Sequence, residues 1–308
     1  MNHVNFDSEH FFSRLAGAAP LLFCINSNFA AVPDSNRRLA IVSIVAGDTY
    51  IQTWTELCKA SWEQYAETVG ADIIVIGGPI DQSDRASARS IAWQKLLILD
   101  LPWAKRYDRI LWLDSDIIIS QIAPNIFSYA PDKEKIGICM SGCRLSDIET
   151  VIFLEKSHEI RLRPDLSKAE IEELANTQTR KAYRQCNAPK EHDEMFNTGV
   201  MVLSPQHHDE LFLKAYEHED CGRLYEQPIL SHEIIEHHIA QVVSPRFNWG
   251  VHETLQLYFK GTKFIGESDD FRRQLVCYFV RAELGNAYFL HFYGSMNLMK
   301  CLTYNDIF

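Results

Sequence analysis

The chain of 308 residues is short of the signals that place a protein quickly. Positive charge is in deficit. Its 30 Lys and Arg face 41 Asp and Glu, a formal net charge of −11, which argues against the basic surface a nucleic-acid partner requires. No apolar run reaches membrane-spanning length. Leu15 to Ile25 comes nearest, but it is short, and Arg14, Gly17 and Pro20 flank or interrupt it. The polar, acidic stretch before it lacks the charged opening of a secretory signal. The expectation is a segment docked on the body of a cytoplasmic protein, peripheral to a membrane at most. The eight cysteines, at 24, 58, 139, 143, 186, 221, 277 and 301, include no CxxC, and the Cys139/Cys143 pair has no companion at zinc-site spacing. Most are expected as buried or free thiols in a reducing compartment. GxGxxG is absent, so there is no dinucleotide fingerprint. His232-Glu233-Ile234-Ile235-Glu236-His237 misses HExxH, because its second histidine falls at i+5, off the shared helix face. There are no internal repeats and no low-complexity tract.

What is present is ordinary in amount: 46% hydrophobic and 23% charged residues, enough for a sizeable core. Residues 1–38 read as an N-terminal extension. Leu39 to Val45 is rich in β-branched residues and reads as a buried strand. A helix is expected over 50–69, closed by Gly70, then a strand over 72–76, a helix over 87–100, and a strand over 110–113. This alternation predicts a parallel sheet with right-handed crossovers. Beyond it, strands are expected at 136–140 and 196–203, helices at 206–218 and 226–239, and short strands at 240–244, 262–265 and 288–291. The polar, charged stretch 143–192 reads as a helical insertion or lid, and 301–308 as a tail.

The most informative segment is Ile110-Leu111-Trp112-Leu113-Asp114-Ser115-Asp116-Ile117-Ile118-Ile119. Two carboxylates sit between two apolar runs, where an unpaired charge is costly. A hard divalent cation with oxygen ligands is the natural partner, at the carboxyl end of a sheet strand where α/β proteins place ligands. Spacing alone fits a solvated turn equally well. Other candidates are individually weak. Ala46-Gly47-Asp48 with Tyr50 ends the first strand at a potential ligand edge. Arg85 and Arg89, at i and i+4, are placed to share a helix face and neutralise phosphate. Asn197-Thr198-Gly199 opens a buried strand with polar groups and a residue that permits close approach. Glu226 and Gln227 stand at a helix start before Pro228, and His291 ends a strand before Gly294, placed to serve as a third ligand to a cation on the aspartates.

Taken together, these residues resemble a glycosyltransferase of the GT-A fold, near family eight, the glycogenin and bacterial galactosyltransferase group. The resemblance runs from about Leu39 to Asn297. It is carried by Tyr107 to Asp116, by Phe196-Asn197-Thr198-Gly199-Val200-Met201, and by His291-x-x-Gly294, in the family's order. Trp93-Gln94-Lys95 is also similar to family 34. The resemblance implies an α/β, Rossmann-like GT-A fold with a mixed central sheet flanked by helices. It implies a single catalytic domain over 39–300, with a nucleotide-binding half at 39–120, the insertion at 143–192 and an acceptor and metal half at 193–300. It implies transfer of a hexose from a nucleotide diphosphate sugar, a UDP-sugar, to a hydroxyl on a glycan, protein or lipid, with retention of configuration. Asp114, Asp116 and His291 would hold Mn²⁺ or Mg²⁺. Ala46, Asp48 and Tyr50 would hold uridine, and Lys95, Ser115, Gly199 and Gly294 would complete the donor site. Gln227, Glu226 and Asn197 would serve the reacting sugar. One position departs from the pattern: the family's diphosphate-contacting lysine is Asn297 here, with Lys300 a turn later. That departure motivates the alternative of a catalytically silent sugar-nucleotide or glycan-binding protein.

Overall fold

A computed structural model of the chain describes residues 21–24, 36–141, 167–258 and 270–307. Ten strands fall in two sheets. In chain order they are β1 (Leu21–Cys24), β2 (Leu39–Ile44), β3 (Ala71–Ile76), β4 (Arg109–Leu113), β5 (Ile117–Ile119), β6 (Ile136–Met140), β7 (Phe196–Leu203), β8 (Ala240–Val242), β9 (Trp249–Gly250) and β10 (Phe289–His291). The large sheet runs β1-β3-β2-β4-β7-β6-β8, and the small one β5-β10-β9. β1 to β4 are mutually parallel, as the strand–helix alternation predicts. β7 then enters antiparallel to β4 and to β6, which makes the sheet mixed. The α/β class with a mixed central sheet flanked by helices is the one expected. The strands of the parallel half are mostly apolar because both faces are covered: every residue of β3 and β4 is buried, Asp72 and Arg109 included. One apolar cluster lies on each face, one around Trp62, Ile73 and Phe289 and the other around Trp93, Trp112 and Phe212.

The helical expectations hold in outline, with informative breaks. The helix expected over 50–69 begins at Asp48 and contains one π-helical turn, Trp54–Cys58, before it resumes at Lys59–Val69 and ends on left-handed Gly70. The segment expected as one helix over 87–100 is divided. Asp84–Ser87 is a short α-turn, and Ile91–Asp100 is 3₁₀-helical. Ser90 is the reason: it is extended, and its hydroxyl accepts from Ala92 N to start a new segment. Ile91–Asp100 is buried on several sides and so carries no clean polar face.

Three further expectations change. Leu21–Cys24 of the N-terminal extension forms an edge strand paired in parallel with β3. Leu302 and Ile307, in the stretch read as a tail, are buried against the core. Cys277 and Cys301 are joined as a disulfide rather than free, whereas Cys58, Cys139, Cys186 and Cys221 are buried thiols as expected. Within 143–192, Lys168–Gln185 is helical, opened by a capping box of Ser167 and Glu170. The strand expected at 262–265 lies outside the described residues. No described helix is long and apolar enough to cross a membrane.

The small sheet matters most for placement. β4 and β5 are separated by only three residues, yet they belong to different sheets. Trp62 secures this divergence. Its indole Nε1 donates to Ile117 O at 2.8 Å, while its ring packs edge-on against Trp54 at 5.6 Å. Trp62→Phe keeps an apolar ring but leaves that buried carbonyl unpaired. The expected loss is about 1–3 kcal/mol of unfolding free energy, read by urea denaturation.

Candidate functional site

Asp114, Ser115 and Asp116 form the turn where the chain leaves the large sheet for the small one. Backbone pairing fixes both ends of it. Asp114 N donates to Gly199 O of β7 at 2.9 Å, and Phe292 N donates to Asp116 O at 3.0 Å. The middle is held by the buried Cys58 thiol, which lies 3.7 Å from Ser115 O. In the small sheet His291 stands opposite Ile117, the residue after Asp116. Residues 175 positions apart in sequence thus meet because β5 and β10 pair in this register.

The result is a compact ligand set. Asp114, Asp116 and His291 each offer one atom, all within 4.8 Å of one another. His291 Nε2 lies 3.1 Å from Asp116 Oδ1 and 3.8 Å from Asp114 Oδ2. Nε2 is buried and has no hydrogen-bond partner among the described residues. Two carboxylate oxygens and an imidazole nitrogen converging on one point, with that nitrogen orphaned, fit a divalent cation. Gly199 leaves room for the ring, since a Cβ there would stand 2.3 Å from His291 Cε1.

The other oxygen of Asp114 is already engaged. Oδ1 accepts from Lys95 Nζ and from Trp112 Nε1, both at 2.9 Å. Lys95 is nearly inaccessible, and its ammonium also meets Glu226 Oε1 at 3.0 Å and Thr198 O at 3.4 Å. Burial pulls the Lys95 pKa down, but the carboxylates of Asp114 and Glu226 outweigh it and hold the ammonium well above its ordinary range. Burial likewise pushes Asp114 up, and Lys95, His291 and the two hydrogen bonds more than reverse this, leaving the carboxyl below its usual value. Glu226 is 1% exposed; its Oε1 also takes the Thr198 hydroxyl at 2.7 Å, and its Oε2 is buried without a partner among the described residues. The expectation that Lys95 contacts a donor directly meets a different geometry: its three donors face three protein acceptors.

These groups line a cleft of about 700 Å³. Ala46, Tyr50, Lys95, Ser115, Asn197, Gly199, Glu226, Gln227 and Gly294 all border it with the three candidate ligands. Asp48 is exposed and does not line it. Gln227 Nε2 reaches Ser141 Oγ at 3.4 Å, and Asn197 Oδ1 accepts from Gly199 N at 2.9 Å. β7 is irregular here. Its pairing with β6 slips between Ile138 and Cys139, so Thr198–Val200 have no partner in β6.

Arg85 and Arg89 are not part of the cleft. Both guanidinium groups bind the carbonyls of Tyr216 and His218 at the end of helix Pro205–Tyr216, and Arg89 stacks 4.0 Å from the Tyr216 ring. They satisfy a helix C-terminus instead of a phosphate. Asn297 and Lys300 are exposed and also lie off the cleft lining.

Several lining groups carried no residue-level signal in the sequence. Helix Lys168–Gln185 contributes Asn176, Gln178 and Thr179, and Tyr225 borders the mouth, 45% exposed, in a left-handed conformation (φ 51°) that is costly for a residue with a side chain. Asn248, which bonds His291, was equally silent. Only the polar helix face was foreshadowed, by the composition of 143–192.

No family profile and no curated protein sequence matches the chain. Among solved structures, it is similar to a glycosyltransferase involved in glycosylation of the major capsid of PBCV-1, at 15% identity over 86% of this chain and 99% of that one, TM-score 0.49. It is also similar to the bifunctional glycosyltransferase WbbM, at 14% identity over 86% of this chain and 47% of that one, TM-score 0.49. A third is galactosyltransferase LgtC, in complex with donor and acceptor sugar analogues, at 14% identity over 82% and 86%, TM-score 0.45. Similarity at this level assigns neither substrate nor activity.

Two outcomes follow from the geometry. Gly199→Ala drives a methyl group into the His291 ring, so Mn²⁺ affinity is expected to fall about tenfold or more in calorimetric titration, with the fold retained. Lys95→Met leaves Glu226 and Asp114 without their buried cation and is expected to cost about 3–5 kcal/mol in denaturant unfolding.

Proposed function

We propose that the chain is a metal-dependent glycosyltransferase of the GT-A fold. It moves a hexose from a nucleotide diphosphate sugar, a UDP-sugar, to a hydroxyl acceptor with retention of configuration. The observation that carries this reading is the convergence of Asp114, Asp116 and His291 at one wall of a cleft that also gathers Tyr50, Asn197, Glu226 and Gln227. This convergence matches the ligand set implied by the motif resemblance, and spacing alone could not choose it over a solvated turn.

Charge supports the same reading. Among the described residues, the cleft is lined by Asp114, Asp116, Asp193, Glu194, Glu226 and Glu253, with Lys95 the one basic side chain besides His291. That lysine is already paired with two carboxylates. A diphosphate entering such a cleft is repelled unless a bound cation offsets the field. A divalent cation on Asp114, Asp116 and His291 supplies Lewis-acid neutralisation of the charge that develops on a leaving diphosphate. The chain's own residues do the rest. Lys95 holds Asp114 and Glu226 in fixed relation across the cleft. Ala46 and Tyr50 border the nucleoside end, and Asn197, Gly199 and Glu226 border the sugar. Gln227 stands beneath the reacting carbon in this reading. An amide is a poor nucleophile, so retention is assigned to front-face transfer rather than to a covalent intermediate. The polar face of helix Lys168–Gln185 forms part of the acceptor wall.

A second reading, a sugar-nucleotide or glycan-binding protein without turnover, is favoured by one observation. The position of the family's phosphate-gripping lysine is Asn297, and neither it nor Lys300 borders the cleft.

Asp116→Asn tests the first reading. Asp116 takes no part in the Lys95 network, so the fold should melt unchanged while metal-dependent hydrolysis of a UDP-sugar falls at least about a hundredfold. A parental rate in this variant would remove the metal assignment. UDP binding in the parent with no hydrolysis of any UDP- or GDP-sugar would favour the binding protein.

A further inference from the structure

A backbone amide is a donor whose polarity cannot be reversed. The N–H of Gly199 donates to Asn197 Oδ1 at 2.9 Å, so the oxygen of that side chain, and not its amino group, faces inward. The same oxygen lies 2.9 Å from Asn248 Nδ2. An oxygen with no hydrogen can only accept, so Asn248 must turn its amino group toward Asn197 and its carbonyl oxygen the other way. That oxygen, Oδ1, is 2.7 Å from His291 Nδ1. It too can only accept, so Nδ1 carries a hydrogen. A neutral imidazole protonated on Nδ1 has its lone pair on Nε2. Nε2 is the buried atom without a partner that faces Asp116 and Asp114.

We propose that Asn248 is a positioning residue that orients His291 and presents its Nε2 lone pair to a divalent cation, with Gly199 setting the polarity of the relay. The inference rests on the metal reading above and names a residue that the motif did not contain. The fold places Asn248 for this role. It ends the 3₁₀ turn Pro245–Asn248, immediately before β9. β9 runs parallel to β10, with Gly250 opposite His291 and Trp249 opposite Leu290. Gly199 acts twice: its N–H starts the relay, and its missing Cβ leaves the space that the His291 ring occupies. Removing the relay leaves the ring two tautomers and a freer χ angle, whereas the cation can use only one of these arrangements. Groups that orient a metal-bound histidine in this way typically contribute ten- to a hundredfold in affinity.

The test is direct Mn²⁺ binding to the full chain by calorimetry, in the absence of any sugar nucleotide, with thermal unfolding measured alongside. Asn248→Leu keeps the volume and removes the acceptor; its affinity should drop about ten- to a hundredfold with little change in melting temperature. Asn248→Asp keeps an acceptor for Nδ1–H but loses the donor to Asn197 Oδ1, so its loss should be at least about threefold smaller than that of Asn248→Leu. In the metal-free parent, the ¹⁵N shifts of the His291 ring should report hydrogen on Nδ1, and Asn248→Leu should lose that preference. Parental affinity in Asn248→Leu, or equal loss in both variants, would overturn the role of Asn248 while leaving the metal site standing. A parent chain that binds neither Mn²⁺ nor Mg²⁺ would overturn the metal reading itself.

Discussion

Carboxylates withdrawn from water must meet positive charge, and the cleft is organised around two answers to that demand. One is built in. Lys95 lies between Asp114 Oδ1 and Glu226 Oε1, nearly sealed from solvent, and links the end of β4 to the start of helix Gln227–Glu236. The other is incomplete among the described residues. Asp114 Oδ2 and Asp116 Oδ1 face an imidazole nitrogen that no hydrogen bond from the described residues satisfies. A single carboxylate, Asp114, takes part in both. Its two oxygens divide the labour: one is anchored by Lys95 and Trp112, the other is free to meet a cation.

Side chains could not hold this division without the backbone. The chain crosses from the large sheet to the small one within Asp114–Asp116, and β7 on one side and β10 on the other pin the crossing by hydrogen bonds. The register of β5 with β10 then delivers His291 to the same point, and β9 delivers Asn248 behind it. A shift of one residue in either pairing would turn His291 to the opposite face of the small sheet. The buried Trp62 holds β5 from inside the core through Ile117 O.

Much of the frame was legible in order and pattern. β6 and β7 follow the apolar runs at 136–140 and 196–203 to the residue, and β2, β3 and β4 emerge parallel because helices separate them. Breaks inside helical stretches were not legible. Ser90 ends one segment and starts another through a single hydroxyl bond, a local choice that the surrounding apolar residues mask. Arg85 and Arg89 show a different limit. Their basic character was visible, but whether they meet a phosphate or the carbonyls ending another helix depends on what packs against them.

The sequence by itself determined the chemistry on offer: two aspartates between apolar runs, a histidine ending a late strand, an amide and a glycine opening β7. These follow from residue type and nearest-neighbour pattern, which short-range physics resolves. The motif resemblance implied that the histidine joins the aspartates, and the fold brings them together; only the tertiary structure decided that Lys95 is enclosed between two carboxylates, and that Asp48, Asn297 and Lys300 lie off the cleft. Those facts rest on strand register and on packing between residues far apart in the chain. Distances of this kind are set by the whole fold at once and leave no mark in any local stretch of sequence.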